Sequence, residues 1–357
     1  MSTSSQQSIG INAEPETMQV NAPLLDKFSR PLRDLRISLT DRCNFRCSYC
    51  MPAEIYGERY EFLPRPELLT FEEIVRLVRI FVKLGVTKLR LTGGEPLMRQ
   101  NICELVEMLS NVSGVEDLTL TTNGYLLSQN ARALREAGLQ RITVSLDTLD
   151  AAIFQKMNGL GLGISKVLEG IQSAHDAGFH PIKINAVVQK GVNDHTIVDL
   201  AQYAKEHGHL VRFIEYMDVG NRNGWKLDHV VPSRDIVSRI DAIMPLDRVE
   251  KDYRGEVADK WRYADGSGEI GVISSVTEPF CGDCTRARLS PDGHVFTCLF
   301  ASSGYDLKVH VRGGATDNEL EDRIRNLWGL REDRYSEIRT SLTGTQKSKV
   351  EMYHIGG

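Results

Sequence analysis

The residues with most chemistry to offer are Cys43, Cys47 and Cys50, three thiols within eight residues at C-x3-C-x2-C spacing. Thiolates this close can hold three corners of a metal–sulfur cube, yet an ordinary [4Fe–4S] cluster takes four cysteines. No histidine stands near enough in sequence to be the fourth ligand, since the first in the chain is His175. A cube held by three thiolates keeps one iron open to a small molecule. The competing readings are a structural zinc site, which wants four protein ligands, and a chance grouping.

A second trio, Cys281, Cys284 and Cys298, follows C-x2-C-x13-C spacing. His294 falls between its last two members, so C-x2-C-x9-H-x3-C reads equally well as zinc. Thr285-Arg286-Ala287-Arg288 comes directly after Cys284. Two apart on an extended strand, its arginines face one side and could clamp phosphate; the plainer reading is a solvated pair of charges. Cys103, in helix-like 102–109, reads as a small core residue. Seven cysteines sorted as three, one and three suit metal sites in a reducing cytoplasm better than a disulfide framework. The chain ends Gly356-Gly357. This is most simply a loose end, and also the smallest tail that can thread beside a reactive centre.

Repeated strand–loop–helix units must position these residues. Strands are expected at 35–40, 86–92, 117–122, 141–147, 181–187 and 210–216. Helices are expected at 71–84, 101–110, 128–137, 165–177 and 194–206. In the first helix Phe71, Ile74, Val75, Val78 and Phe81 repeat at helical spacing, behind a Thr70/Glu73 capping box. Units of roughly 30 residues imply right-handed βαβ steps and a parallel sheet. Six are too few for a closed eight-stranded barrel, so an open, partial barrel is expected. Along its strands Ile37, Leu89, Leu91, Leu118, Leu120, Ile142, Val144 and Ile184 face one way. Arg36, Lys88, Arg90, Thr119, Thr121, Thr143, Ser145 and Lys183 face the other. Parallel sheets are covered on both faces, so inward Arg36, Arg90 and Lys183 imply an anionic occupant. Past about residue 220 the alternation stops; a helix-like 233–243 leads into short strands and turns.

The chain has 357 residues, 41% hydrophobic and 25% charged, as a soluble protein of one large domain with an appendage, or of two domains, would. Its net charge of −5 argues against general nucleic-acid binding. No apolar run reaches membrane-spanning length, and Met1–Gly10 is unlike a secretory signal. Residues 1–30 are polar and unpatterned and read as a mobile extension.

C-x3-C-x-aromatic-C, with Tyr49 as the aromatic, resembles the signature of the radical S-adenosylmethionine (SAM) family. Gly93-Gly94-Glu95-Pro96, one unit later, resembles its GGEP motif, whose carboxylate could accept from the SAM ammonium. The resemblance implies SAM on the open iron and a partial-barrel core over 31–220. It implies SAM contacts at Tyr49, Gly94, Ser145 and Met217. The C-terminal trio resembles that of the GTP 3',8-cyclases of molybdenum cofactor biosynthesis. This implies that 221–357 carries a second [4Fe–4S] cluster on Cys281, Cys284 and Cys298, its open iron binding the guanine of GTP. It further implies GTP contacts at Arg36, Arg90, Thr121, Lys183, Arg286 and Arg288, and a catalytic part for Arg286, Arg288 and the Gly356-Gly357 tail. An external electron donor and a downstream cyclic pyranopterin monophosphate synthase are the implied partners of a cytoplasmic monomer or homodimer. The rival readings are a peptide-modifying radical SAM enzyme with an auxiliary cluster, and a regulatory zinc or iron–sulfur protein without catalysis.

Overall fold

The computed structural model describes residues 23–253, 255–339 and 348–357. Strands β1 (Asp34–Ser38), β2 (Lys88–Thr92), β3 (Asp117–Thr122), β4 (Arg141–Ser145), β5 (Lys183–Val188) and β6 (Leu210–Glu215) form the first half. Between them run helices α1 (Phe71–Lys83), α2 (Ile102–Ser110), α3 (Leu127–Glu136), α4 (Ala151–Met157) and α5 (Ser165–Asp176), with α6 (Ile197–Glu206) before β6. Thr70 and Glu73 close the expected capping box on α1, whose Ile74, Val75, Leu77, Val78, Ile80 and Phe81 are buried. Of these six only α4 was unanticipated; Asp150 caps it by accepting from the Ile153 amide at 2.8 Å.

After residue 220 come α7 (Ser233–Asp241), β7 (Leu246–Val249), β8 (Asp259–Tyr263) and β9 (Glu269–Ile273). β10 (Arg286–Leu289), β11 (His294–Phe296), β12 (Tyr305–Asp306), α8 (Lys308–Arg312), α9 (Asp317–Gly329), α10 (Tyr335–Ile338) and α11 (Met352–Ile355) complete the chain. All twelve strands share one sheet, in the order β12-β11-β10-β1-β2-β3-β4-β5-β6-β9-β8-β7. β1 to β6 are parallel throughout. The C-terminal region adds a parallel strand at each edge, β10 beside β1 and β9 beside β6. The row ends in antiparallel β12 and β7, so the barrel is open, as expected. The later residues are therefore sheet edges as well as an appendage.

One face of the strands is aliphatic and fully buried, with Ile37, Leu89, Leu91, Leu118, Leu120, Ile142, Val144 and Ile184 in a single core with the helices. Cys103 packs at its margin. No helix among the described residues is long and apolar enough to cross a membrane.

The N-terminal boundary differs from expectation. Residues 1–22 lie outside the described residues, but 23–30 belong to the folded body. Leu25 bridges to Pro31, and Asp26 and Arg30 are buried. A segment held by ion pairs has no apolar period, and so reads as an extension in sequence.

Candidate functional site

The opposite, polar face of the sheet walls a cavity of about 480 Å³. All six cysteines of the two trios line it, with Tyr49, Gly94, Ser145, Met217, Arg36, Arg90, Thr121, Lys183, Arg286, Arg288 and Gly357. Gly356 is not among the lining residues, but its carbonyl accepts from Arg288, which is. All the other site residues expected from sequence come to this one place.

The trios occupy opposite ends of it. Cys43, Cys47 and Cys50 follow the carboxyl end of β1. Cys281 and Cys284 precede the amino end of β10, which runs parallel to β1 with Asp34 opposite Arg286. β11 returns antiparallel and brings Cys298 back to that same end. Five residues at about 3.3 Å rise separate the two ends by roughly 17 Å. The usual rule that ligands gather at carboxyl ends locates the first trio and misses the second.

At the first end, Cys43 Sγ accepts from the Phe45 amide at 3.4 Å and from Asn123 Nδ2 at 3.9 Å. Burial pushes the Cys43 thiol up to about 12, and raises Cys47 and Cys50 as well. Bare, these groups are neutral thiols; iron would take them as thiolates and release their protons. Tyr49 donates its hydroxyl to Asp147 at 2.7 Å, and burial lifts that carboxyl to about 6. Gly94 is required by contact: a Cβ there would stand 2.3 Å from the Arg42 carbonyl oxygen. Glu95 lines the cavity as well; its carboxylate accepts from Thr122 and from the Asn123 and Leu97 amides at 2.7, 2.7 and 3.1 Å, and so ties the β2 and β3 loops together.

At the second end, Arg286 Nη2 lies 3.5 Å from Cys284 Sγ and the Phe300 amide 3.4 Å from Cys298 Sγ. Burial raises the Cys298 thiol to about 12. Burial acts the same way on Cys284, but Arg286 and Arg331 outweigh it and bring that thiol down to about 6. His294 is no partner of these thiols. It pairs with Asp292 at 3.2 Å and does not line the cavity, which removes the zinc set built on it. Among the described residues no three Cys, His, Asp or Glu side chains converge on one ion position. Ligands of a single zinc must crowd within bond length of it, whereas each thiolate of a cube binds a different iron.

Between the two ends lies a cationic wall set by strand register. Arg288, Arg36 and Arg90 stand side by side on β10, β1 and β2, with strands about 4.8 Å apart. Arg90 donates to Thr121 and Thr143 at 3.0 and 3.2 Å. Burial and then Arg288, Arg286 and Arg90 hold Arg36 well below its usual range. A guanidinium does not shed its proton in a protein, so this direction reflects burial first and neighbouring positive charge second, not a neutral arginine. Each neighbouring like-charged pair costs about 3 kcal/mol at 5 Å and an effective dielectric near 20. Burial, then Arg212, Arg141 and Arg90, lower Lys183 to about 7. Arg212, which donates to Asn185 at 3.0 Å, was missed in sequence. Its alternation with Val211 and Phe213 was the same signal that found Arg36 and Arg90.

The tail reaches this wall. Arg288 Nη1 donates to the Gly356 carbonyl, and Gly356 has φ +74°. Tyr353 of α11 anchors it, its hydroxyl 2.8 Å from that of Tyr60 and its ring 5.1 Å from Tyr56.

The chain matches two family models, the Radical SAM superfamily over residues 37–204 and Molybdenum Cofactor Synthesis C over 209–337. It is 55% identical to a GTP 3',8-cyclase of Acidothermus cellulolyticus, covering 94% of this chain and 99% of that one. A GTP 3',8-cyclase of Staphylococcus epidermidis is 50% identical over 93% and 98%. Among solved structures, Streptococcus suis SuiB bound to S-adenosylmethionine aligns with a TM-score of 0.58 at 17% identity, covering 87% of this chain and 68% of that one, a likeness of fold alone. Two cysteine trios on one open parallel sheet, with this identity over nearly the whole length, place the chain in the GTP 3',8-cyclase family of radical SAM enzymes.

Proposed function

We propose that the protein converts GTP to (8S)-3',8-cyclo-7,8-dihydroguanosine 5'-triphosphate, the first step of molybdenum cofactor biosynthesis. The observation that carries this reading is the register-aligned row Arg288–Arg36–Arg90, which makes no ion pair with any described residue. A buried row of like charges is stable only with an anion against it, and a triphosphate supplies several charges in a line.

Cys43, Cys47 and Cys50 would hold a [4Fe–4S] cluster, which when bound and reduced with SAM would supply a 5'-deoxyadenosyl radical. Tyr49, Gly94, Ser145 and Met217 would bound the SAM side. Arg36, Arg90, Thr121 and Lys183 would hold the phosphates, with Arg212 beside them. A second cluster on Cys281, Cys284 and Cys298 would hold the guanine, and Arg286, Arg288 and the Gly356-Gly357 tail would close on the nucleotide. Fixing both ends sets ribose C3' within reach of the radical and C8 within reach of C3', so positioning accounts for most of the protein's work. On this reading 31–220 makes the radical and 221–357 grips the substrate. An external donor brings electrons, and a cytoplasmic cyclic pyranopterin monophosphate synthase takes the product.

The test is anaerobic incubation with GTP, SAM and dithionite, scoring 5'-deoxyadenosine and an oxidised pterin together. Both should accumulate in step. Failure to release 5'-deoxyadenosine would sink the radical reading. Its release with GTP unchanged would sink the cyclase reading and favour another substrate.

A further inference from the structure

Beside the second cysteine trio lies a buried ion triad that the proposed reaction does not use, with Arg331 reaching the cavity lining. Asp26 Oδ2 accepts from Arg30 Nε at 2.6 Å and from Arg331 Nη1 at 3.2 Å. The three side chains are at most 1% exposed. Their remaining donors converge on the backbone that carries the thiols. Arg30 Nη1 donates to the Cys281 carbonyl at 2.7 Å. Arg331 Nη1 donates to the Cys284 carbonyl at 2.7 Å, and its Nε to the carbonyl of Thr297, next to Cys298, at 3.1 Å. Each of the three thiols is thus fixed at its own residue or its neighbour by one guanidinium or the other.

The triad also joins distant parts of the chain. Asp26 and Arg30 come from the arm before β1. Arg331 follows α9, lies over the Trp328 ring at 4.4 Å, and Trp328 in turn donates to the Arg30 carbonyl at 3.2 Å. Stability alone does not call for this arrangement, because a buried ion network is rarely better than apolar packing, and Arg30 Nη2 has no acceptor. The triad carries one net positive charge, offset in part by the half-buried Asp333 carboxylate 3.5 Å from Arg331 Nε, against a site whose three thiolates and added electron are negative. Potentials of iron–sulfur clusters follow net charge and hydrogen bonding, and outer-shell partners orient the ligands themselves.

We propose that Asp26, Arg30 and Arg331 are positioning residues for the second cluster, setting its thiolates in place and holding its reduction potential up. The arm 23–30 is then part of the second site. This rests on the reading that Cys281, Cys284 and Cys298 hold a cluster. A one-electron reduction places one more negative charge there, and removing a cation from beside it makes that step harder; removing Asp26's charge makes it easier.

The test uses the full-length chain with Cys43, Cys47 and Cys50 all changed to Ala, so that only the second cluster remains after anaerobic reconstitution. Iron and sulfide per chain, resistance to a chelator, the reduced-state EPR spectrum and the midpoint potential are read for Arg331→Met, Arg331→Lys and Asp26→Asn. Arg331→Met should lower the potential and make iron loss to chelator about 10- to 100-fold easier. Arg331→Lys should recover the potential, since it keeps the charge. Asp26→Asn, nearly isosteric, should move the potential the opposite way from Arg331→Met. Potentials unchanged in all three, or moved in the same direction by Arg331→Met and Asp26→Asn, would overturn the proposal and leave the triad a packing device. If the triple-alanine parent binds no iron, the second-cluster reading itself fails, and this proposal with it.

Discussion

Replacing Gly356 with Ala perturbs the tail at a point where the backbone leaves little choice. Gly356 has φ +74° and ψ 109°, outside the regions open to residues with a Cβ. Residues forced into such regions cost about 1–3 kcal/mol. The added Cβ would also stand 2.7 Å from Thr92 Oγ1 and 3.1 Å from its Cγ2, on a short, buried side chain of β2. Strain alone should shift the seated tail toward release by about 5- to 150-fold, and the hydrogen bond from Arg288 to the Gly356 carbonyl is lost with it. Gly357→Ala should be milder, because its Cβ would meet the flexible Met352 side chain, with Sδ at 2.9 Å. The assay is cyclised product per 5'-deoxyadenosine under anaerobic turnover, with iron content and SAM cleavage without GTP as controls. The expected order of product formation is wild type, then Gly357→Ala, then Gly356→Ala, with both controls unchanged. Wild-type product formation by Gly356→Ala would refute the reasoning, as would a loss matched by loss of iron.

Other consequences can be measured directly. Lys183, lowered to about 7 by burial and then by Arg212, Arg141 and Arg90, binds phosphate only when charged. GTP affinity should be fullest below pH 7 and fall as pH rises above it, and Lys183→Met should weaken binding and flatten the profile; calorimetry across about pH 6–9 checks it. Gly94→Ala, whose Cβ would stand 2.3 Å from the Arg42 carbonyl, should displace the first cysteine loop and halve the iron per chain. Thr70→Ala removes the acceptor for the Glu73 amide in the α1 capping box. It should lower stability by about 1 kcal/mol, read by denaturant unfolding, with product formation per folded enzyme unchanged.

The sequence exposed this site well because the strands alternate cleanly. Ile37 beside Arg36, and Leu89 and Leu91 around Arg90, identify two faces without knowledge of neighbours. Which cations touch which was not legible. The row Arg288–Arg36–Arg90 depends on β10 docking beside β1, some 250 residues apart, and no local pattern specifies that pairing. The donors that hold the Glu95 carboxylate, from Thr122 and from the Asn123 and Leu97 amides, were not legible either. Arg331 follows a helix with no motif around it, and Asp26 and Arg30 sit in a polar stretch where ion pairing takes the place of hydrophobic period.

The pairing of β1 with β10 also bears on how the protein is made. As synthesis proceeds, β1 can zip onto β2 early, but its other border must wait until residues 286–289 leave the ribosome. Until then a row of bare amides and carbonyls invites intermolecular pairing, and the thiols of residues 43–50 hang from that unfinished border. Nascent or truncated chains lacking β10 are thus the aggregation-prone species, since only the complete chain covers that border of β1.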